Sequence, residues 1–291
     1  MGLAADAVGR RARPWSGVVD GRWLMAYAAG LGHAEDVYFD TTRAPGVVAH
    51  PVFPIAPEWA LLTQPESGLD LGLSVPEALR GVHAGHDLHQ HRPIVPDRPI
   101  TVEAQVVGVE RAAAGARTTT RFDGRAEDGT ALWTSWMRTV YRGVAVDGEE
   151  RPPADAPPPP VAADEQPDRR VRGIAIDVAA PHVYGECARI WNPIHSDRAI
   201  ARAVGLDGPI LHGSATLAHA VDEALTALGA GPRQVRRLGA GFRSAVAVPS
   251  AIAVVVTATG RQADGDRLAR FEVREESGGV VLRDGFLVVG E

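Results

Sequence analysis

Lysine is missing altogether: all thirty basic residues of the chain are arginine. That excludes any Schiff-base lysine chemistry. It also leaves arginines, backbone N–H groups and helix ends as the only means of holding a ligand phosphate. There is one cysteine, Cys187, so neither an intramolecular disulfide nor a cysteine metal cluster can form, and a reducing, cytoplasmic setting is expected. No stretch reaches the roughly 18 apolar residues of a membrane span. The start, MGLAADAVGRRARPW, has no long apolar run and does not resemble a secretory leader. The net charge of -6 argues against a partner bound through its nucleic-acid backbone. What is present is ordinary globular material: 45% hydrophobic and 23% charged residues, enough for a buried core. A chain of 291 residues suits one large domain or two smaller ones.

The main change in composition falls at VDGEERPPADAPPPPVAADEQPDRR, residues 146–170. Four consecutive prolines can continue neither a helix nor a central strand, so this is an extended connector between residues 1–145 and 171–291. In the second half, Arg172–Val178 is expected as a strand. A short helix follows over Ser196–Val204, capped by Ser196 or Asp197, and a long one over Ser214–Leu228. Ala215, Leu217, Ala218, Val221, Leu225 and Leu228 of the long helix follow helical spacing. Strands are expected at Val235–Ala247, Ala251–Thr259, Leu268–Glu275 and Val280–Val289. The first half repeats the order loosely, with helices at Trp23–Leu31 and Pro57–Leu62. Its strands are expected at Leu88–His91, Ile100–Arg111, Thr118–Ala126 and Ala131–Arg142. This is an α+β chain of two related halves, each a curved antiparallel sheet wrapped around one helix.

Chemistry concentrates between Tyr184 and His195, taken as a loop. Pro193 fixes the backbone and keeps Asn192 out of the helical region, so Asn192 and His195 flank a rigid turn. An imidazole can exchange a proton near neutral pH and an amide can orient a carbonyl or a water. The plainer alternative is a structural Asn-Pro turn with a surface histidine. Downstream, His212-Gly213 leads into the long helix, where free N–H groups and the helix dipole can hold a developing oxyanion. The plainer alternative for Gly213 is tight packing, and both can hold together.

These residues resemble the MaoC-like (R)-specific enoyl-CoA hydratase/dehydratase family. Its pattern is an aromatic residue, a spacer, Gly-Asp-x-Asn-Pro-(aliphatic)-His, a short helix, and an aliphatic-His-Gly start to a central helix. The matching positions are Tyr184, Asn192, Pro193, Ile194, His195 and Asp197, then Pro209-Ile210-Leu211-His212-Gly213. In the first half, Tyr27–Gly32, Pro51–Pro54, His91–Ile94 and Met137–Gly143 fall in family order, so the resemblance spans nearly the whole chain. It implies a double hot-dog fold whose first half is a degenerate, tunnel-widening unit. It also implies a hydro-lyase that adds or removes water across the 2,3 bond of an acyl-CoA or acyl-carrier-protein thioester. His195 would be the acid/base, Asn192 an orienting residue and Gly213 the oxyanion donor. Tyr184, Ile190, Trp191 and His212 would contact substrate. No cofactor and no metal are implied, and a homodimer is compatible with the family.

One departure matters. The family's aspartate falls on Ile190, and the glycine before it on Arg189. Losing one acid/base group typically costs about 10²–10⁴ in rate, roughly 3–5 kcal/mol. Three expectations follow: Glu186, in the same loop, replaces the carboxylate; the protein runs a one-base reaction such as isomerisation or cyclisation; or it binds thioesters without turnover and assists a partner enzyme. Cys187 is read as a small buried residue or a reactive thiol. The histidines of VHAGHDLHQH, His83 to His91, are read as structural or as lining a tunnel, because alternation on a strand sends neighbours to opposite faces.

Overall fold

The computed structural model describes residues 2–44, 46–65 and 67–291. Ten strands make one antiparallel sheet. In chain order they are β1 (Trp15–Val19), β2 (Gly81–Gln90), β3 (Arg98–Ala112), β4 (Gly115–Ala126), β5 (Ala131–Arg142), β6 (Gln166–Ile176), β7 (Val235–Phe242), β8 (Ser250–Arg261), β9 (Arg267–Glu275) and β10 (Val280–Val289). The sheet order is β1-β3-β4-β5-β2-β7-β10-β9-β8-β6. Each half therefore contributes five strands in the same internal order, and the two units meet edge to edge where β2 pairs with β7, Leu88 opposite Leu238. Joining the edges leaves neither inner strand open to further pairing. The α+β expectation holds, with the two sheets merged into one.

The helices repeat as well. α1 (Gly21–Gly30) follows β1, and α2 (Ile55–Thr63) packs on β1 and β3. α3 (Ala180–Ala188) follows β6, α4 (Arg198–Ala203) comes next, and α5 (Gly213–Leu228) lies against the strands of the second half. α5 is buried on most of its surface because Ala215, Ala218, Ala220 and Ala224 keep it slim, and Gly229, in the left-handed conformation, ends it. Asp197 caps α4 by accepting from the Ala199 and Ile200 N–H groups, as expected.

Three local expectations needed correction. Tyr184 and Glu186 lie on a helix rather than a loop: Pro181 sits in its first turn, and Pro181, Tyr184, Gly185 and Ala188 form a buried face against α1. The strand expected over Val235–Ala247 stops at Phe242. Val246–Ala247 instead pair with Ile210–Leu211. Residues 166–170, counted with the connector, already belong to β6. The rest of the connector crosses the outer face of the sheet, where Arg237 donates to the Pro158 carbonyl (2.8 Å), Arg270 to that of Pro160 (2.7 Å) and Trp136 to Asp155 (3.3 Å).

α1 and α3 cross closely enough that a Cβ on Gly30 would stand 2.7 Å from Cys187 Cβ. At the same crossing Tyr27 and Tyr184, 157 residues apart, share a hydrogen bond of 3.0 Å. Asp222 of α5 ties in the first half a second time, with His50 Nε2 at 3.0 Å and His33 Nε2 at 3.2 Å, while His33 Nδ1 reaches Glu35 at 2.9 Å. Burial would raise the Asp222 carboxyl, but His50 and His33 hold it well below the usual carboxylate range. Burial likewise pulls His33 down, and Asp222 and Glu35 outweigh it to leave His33 raised. The Asp222 contribution is therefore present above its free value of 3.8 and lost as pH falls through its lower folded value. The His33 contribution is full below 6.5 and lost as pH rises through its raised value. Asp222→Asn should destabilise the protein by about 3–5 kcal/mol in urea titrations near pH 6. An unchanged midpoint would show that this tie does not hold the halves together.

Candidate active site

Asn192, in an extended conformation, accepts from the Ile194 N–H (3.3 Å) and opens the 3-10 turn Pro193–His195. That turn aims the His195 ring at the start of α5. His195 Nδ1 lies 2.8 Å from the Ile210 carbonyl oxygen. A carbonyl can only accept, so Nδ1 carries the hydrogen and Nε2 carries the lone pair. The ring stacks on His212, with centroids 3.6 Å apart and planes 21° off parallel. His212 Nε2 donates to the Ile190 carbonyl at 3.0 Å, while its Nδ1 is buried without a hydrogen-bond partner among the described residues. Burial pushes His195 down to about 4. Burial, with His195 beside it, pushes His212 down to about 3. Both rings are neutral at physiological pH.

Next to the pair, the Tyr184 hydroxyl sits 3.0 Å from Ser214 Oγ and 3.0 Å from the Tyr27 hydroxyl. The first intrahelical bond of α5 runs from the Thr216 N–H to His212 O, and the N–H groups of Gly213 and Ser214 find no acceptor among the described residues. A Cβ on Gly213 would press to 3.1 Å from the Phe242 ring, so glycine keeps the backbone close to that side chain. An unprotonated ring nitrogen beside free helix N–H groups can move a proton next to a carbonyl whose oxygen is becoming negative.

His195, His212, Gly213, Tyr184 and the backbone of Ile190 thus come together. Others do not. Trp191 is 61% exposed, the Asn192 carbonyl oxygen is engaged by its own turn, and Glu186 is exposed on α3 with no side-chain bond to the pair. The Ile190 side chain is buried in the core. Arg189 takes a left-handed conformation (φ 58°) that favours glycine, and its guanidinium stacks on Trp23 at 4.3 Å. Sequence reasoning missed Tyr27 and Ser214. The signal for Tyr27 was the shared spacing of Asp20 and Tyr27 with Asp177 and Tyr184.

The corresponding place in the first half is closed. There His50 precedes α2, but Pro51 and Pro54 lack N–H groups. The Val52 N–H goes to His50 Nδ1 (3.1 Å), Phe53 N–H to His50 O (2.9 Å) and Ile55 N–H to Val52 O (3.2 Å). Among the described residues, no free N–H is left between Pro51 and Glu58 to hold an oxyanion. His33, His50 and Asp222 lie close enough to suggest a metal centre. Because His50 Nδ1 accepts from Val52, however, Nε2 keeps its hydrogen and donates it to Asp222, which suits a hydrogen-bonded tie.

Residues 163–280 match the family described as MaoC like domain, and residues 6–129 the one described as FAS1-like, dehydratase domain region. The chain is 28% identical over 211 residues to "Peroxisomal multifunctional enzyme type 2" of Drosophila melanogaster, covering 68% of this chain and 34% of that one, so it spans about a third of that relative's length. Its backbone superposes on a MaoC-like dehydratase from Phytophthora capsici with a TM-score of 0.79 at 19% identity, over 96% of each chain. A Mycobacterium tuberculosis protein described as having a double hot-dog fold gives 0.63 at 14% identity, over 97% of this chain and 95% of that one. These likenesses establish a shared double hot-dog fold.

The imidazole of His195 should stay in its neutral, Nδ1-protonated form down to about pH 5 in nitrogen NMR titrations, given its depressed value of about 4. A midpoint near 6.5 would contradict the buried, carbonyl-bonded geometry.

Proposed function

From the match of residues 163–280 to a MaoC like domain and of residues 6–129 to a FAS1-like dehydratase region, we propose that the chain acts on an acyl thioester, adding or removing water across the 2,3 bond with His195 as its one acid/base. The observation that carries this is the bond from His195 Nδ1 to Ile210 O, which leaves Nε2 as a base beside the free N–H groups of Gly213 and Ser214.

In the dehydration direction, Nε2 takes the C2 proton of a 3-hydroxyacyl thioester. The electron pair released moves into the thioester, and its carbonyl oxygen, turning negative, is held by the Gly213 N–H. The enolate then expels the 3-hydroxyl as the C3–O bond breaks. The same imidazolium supplies the proton that makes water, so atoms and charge balance with a single base. Burial disfavours charge on His195, so the proton is passed on rather than stored. The buried Ile190 side chain leaves no carboxylate to share the work, and Asn192 keeps the turn in shape. The carrier, coenzyme A or carrier protein, enters through its pantetheine arm. A second reading rests on the same Ile190: a one-base isomerase or cyclase needs nothing more than His195 and the helix start.

His195→Ala should lower hydration of short 2-enoyl-CoA substrates by about 10²–10⁴ while thioester binding persists. Ile190→Asp should raise it if the second group is the limiting loss. Full activity in His195→Ala would sink the assignment. Thioester binding without turnover in the native protein would favour an assisting, non-catalytic role.

A further inference from the structure

A second set of polar groups lies inside the first half, under the inner face of β2 and β5. Glu58 of α2 is buried, and its Oε1 accepts from Trp133 Nε1 (2.8 Å) and Ser135 Oγ (2.6 Å). Its Oε2 has no hydrogen-bond partner among the described residues. His86 Nε2 stands 3.5 Å from that oxygen without hydrogen-bond geometry, and neither ring nitrogen of this fully buried histidine is paired. Gln90, also buried, leaves its Oε1 unpaired. Orphaned polar atoms at this depth are costly, and a fold that needed only a core would place apolar side chains here.

The cluster is continuous with the proposed active site. The Phe242 ring lies against Gly213, His83 packs on Phe242 with centroids 4.5 Å apart, and His83 meets His86 at 5.4 Å. The line runs from the helix start, past Phe242, along the inner face of β2 to Glu58. Burial pushes the Glu58 carboxyl up to about 8 and holds His86 well below its ordinary value, so the groups are neutral and suit a neutral ligand. A carboxylic O–H can donate, while the imidazole and the Gln90 oxygen accept.

We propose that Glu58, His86 and Gln90 recognise a neutral oxygen substituent, a hydroxyl or keto group, carried on the acyl chain several bonds from the thioester. The preferred substrate is then an oxygenated acyl thioester rather than a plain hydrocarbon chain. This rests on the thioester assignment above and deepens it. A site built to hydrogen-bond a substrate oxygen discriminates strongly against the analogue lacking it, because its own polar groups are otherwise left unpaired.

The test is calorimetric binding of unreactive saturated thioesters to the full chain. Dodecanoyl-CoA would be compared with a panel of dodecanoyl-CoA derivatives carrying one hydroxyl or one keto group at successive positions beyond C4. At least one derivative should bind about tenfold or more tighter than the parent. His86→Leu should abolish that preference and leave the melting temperature equal or higher, since it removes two unpaired nitrogens. If the parent and every derivative bind alike, the inference is overturned while the thioester assignment stands. A binding preference that survives His86→Leu also overturns it. If none of the thioesters binds, the functional assignment itself fails.

Discussion

The geometry of the candidate site depends on one short pairing, Ile210–Leu211 against Val246–Ala247, made just before the chain turns into α5. It fixes the Ile210 carbonyl that sets the His195 tautomer. It also places His212 at the helix N-cap, under the His195 ring, and delivers Gly213 to the first turn of α5. Base nitrogen, stacked partner and free N–H groups are therefore positioned together by backbone hydrogen bonds rather than by long flexible side chains. That arrangement limits reorganisation when charge develops.

The two halves share a topology but engage their histidines and N–H groups differently. Both have a five-stranded unit, a helix bearing a central tyrosine and a histidine before the inner helix. The first half spends its N–H groups internally through Pro51, Pro54 and His50. Its remaining histidines serve other ends: His33 and His50 hold Asp222, and His86 lies beside Glu58 in the interior.

Much of this was legible in the sequence where burial is one-sided. The strands β3 to β5 and β8 to β10 alternate or run apolar between clear turns, and α5 ends on its own glycine, Gly229, so their positions were read to within a few residues. β2 was read too short, as Leu88–His91, because its inner face is His86 and Gln90 rather than apolar and the alternation disappears. α3 was taken for a loop because its buried stripe, Pro181, Tyr184, Gly185 and Ala188, is small and partly polar, and packs only once α1 is there to meet it. The Asn-Pro-Ile-His motif pointed to the candidate site. It did not reveal which ring nitrogen is free, the stacking on His212 or the hydroxyl chain through Tyr27, because these depend on contacts across the whole chain. The replacement of the family carboxylate at Ile190 was visible from the start, and the structure adds that this side chain is buried.

A single base working on one face of the acyl chain requires syn chemistry. The most direct measurement is the configuration of the product formed when a 2-enoyl-CoA is hydrated by the native protein in deuterium oxide. The account predicts one deuterium at C2 on the same face as the new 3-hydroxyl, delivered by His195. Anti addition, or a thioester that binds and is never hydrated, would contradict it.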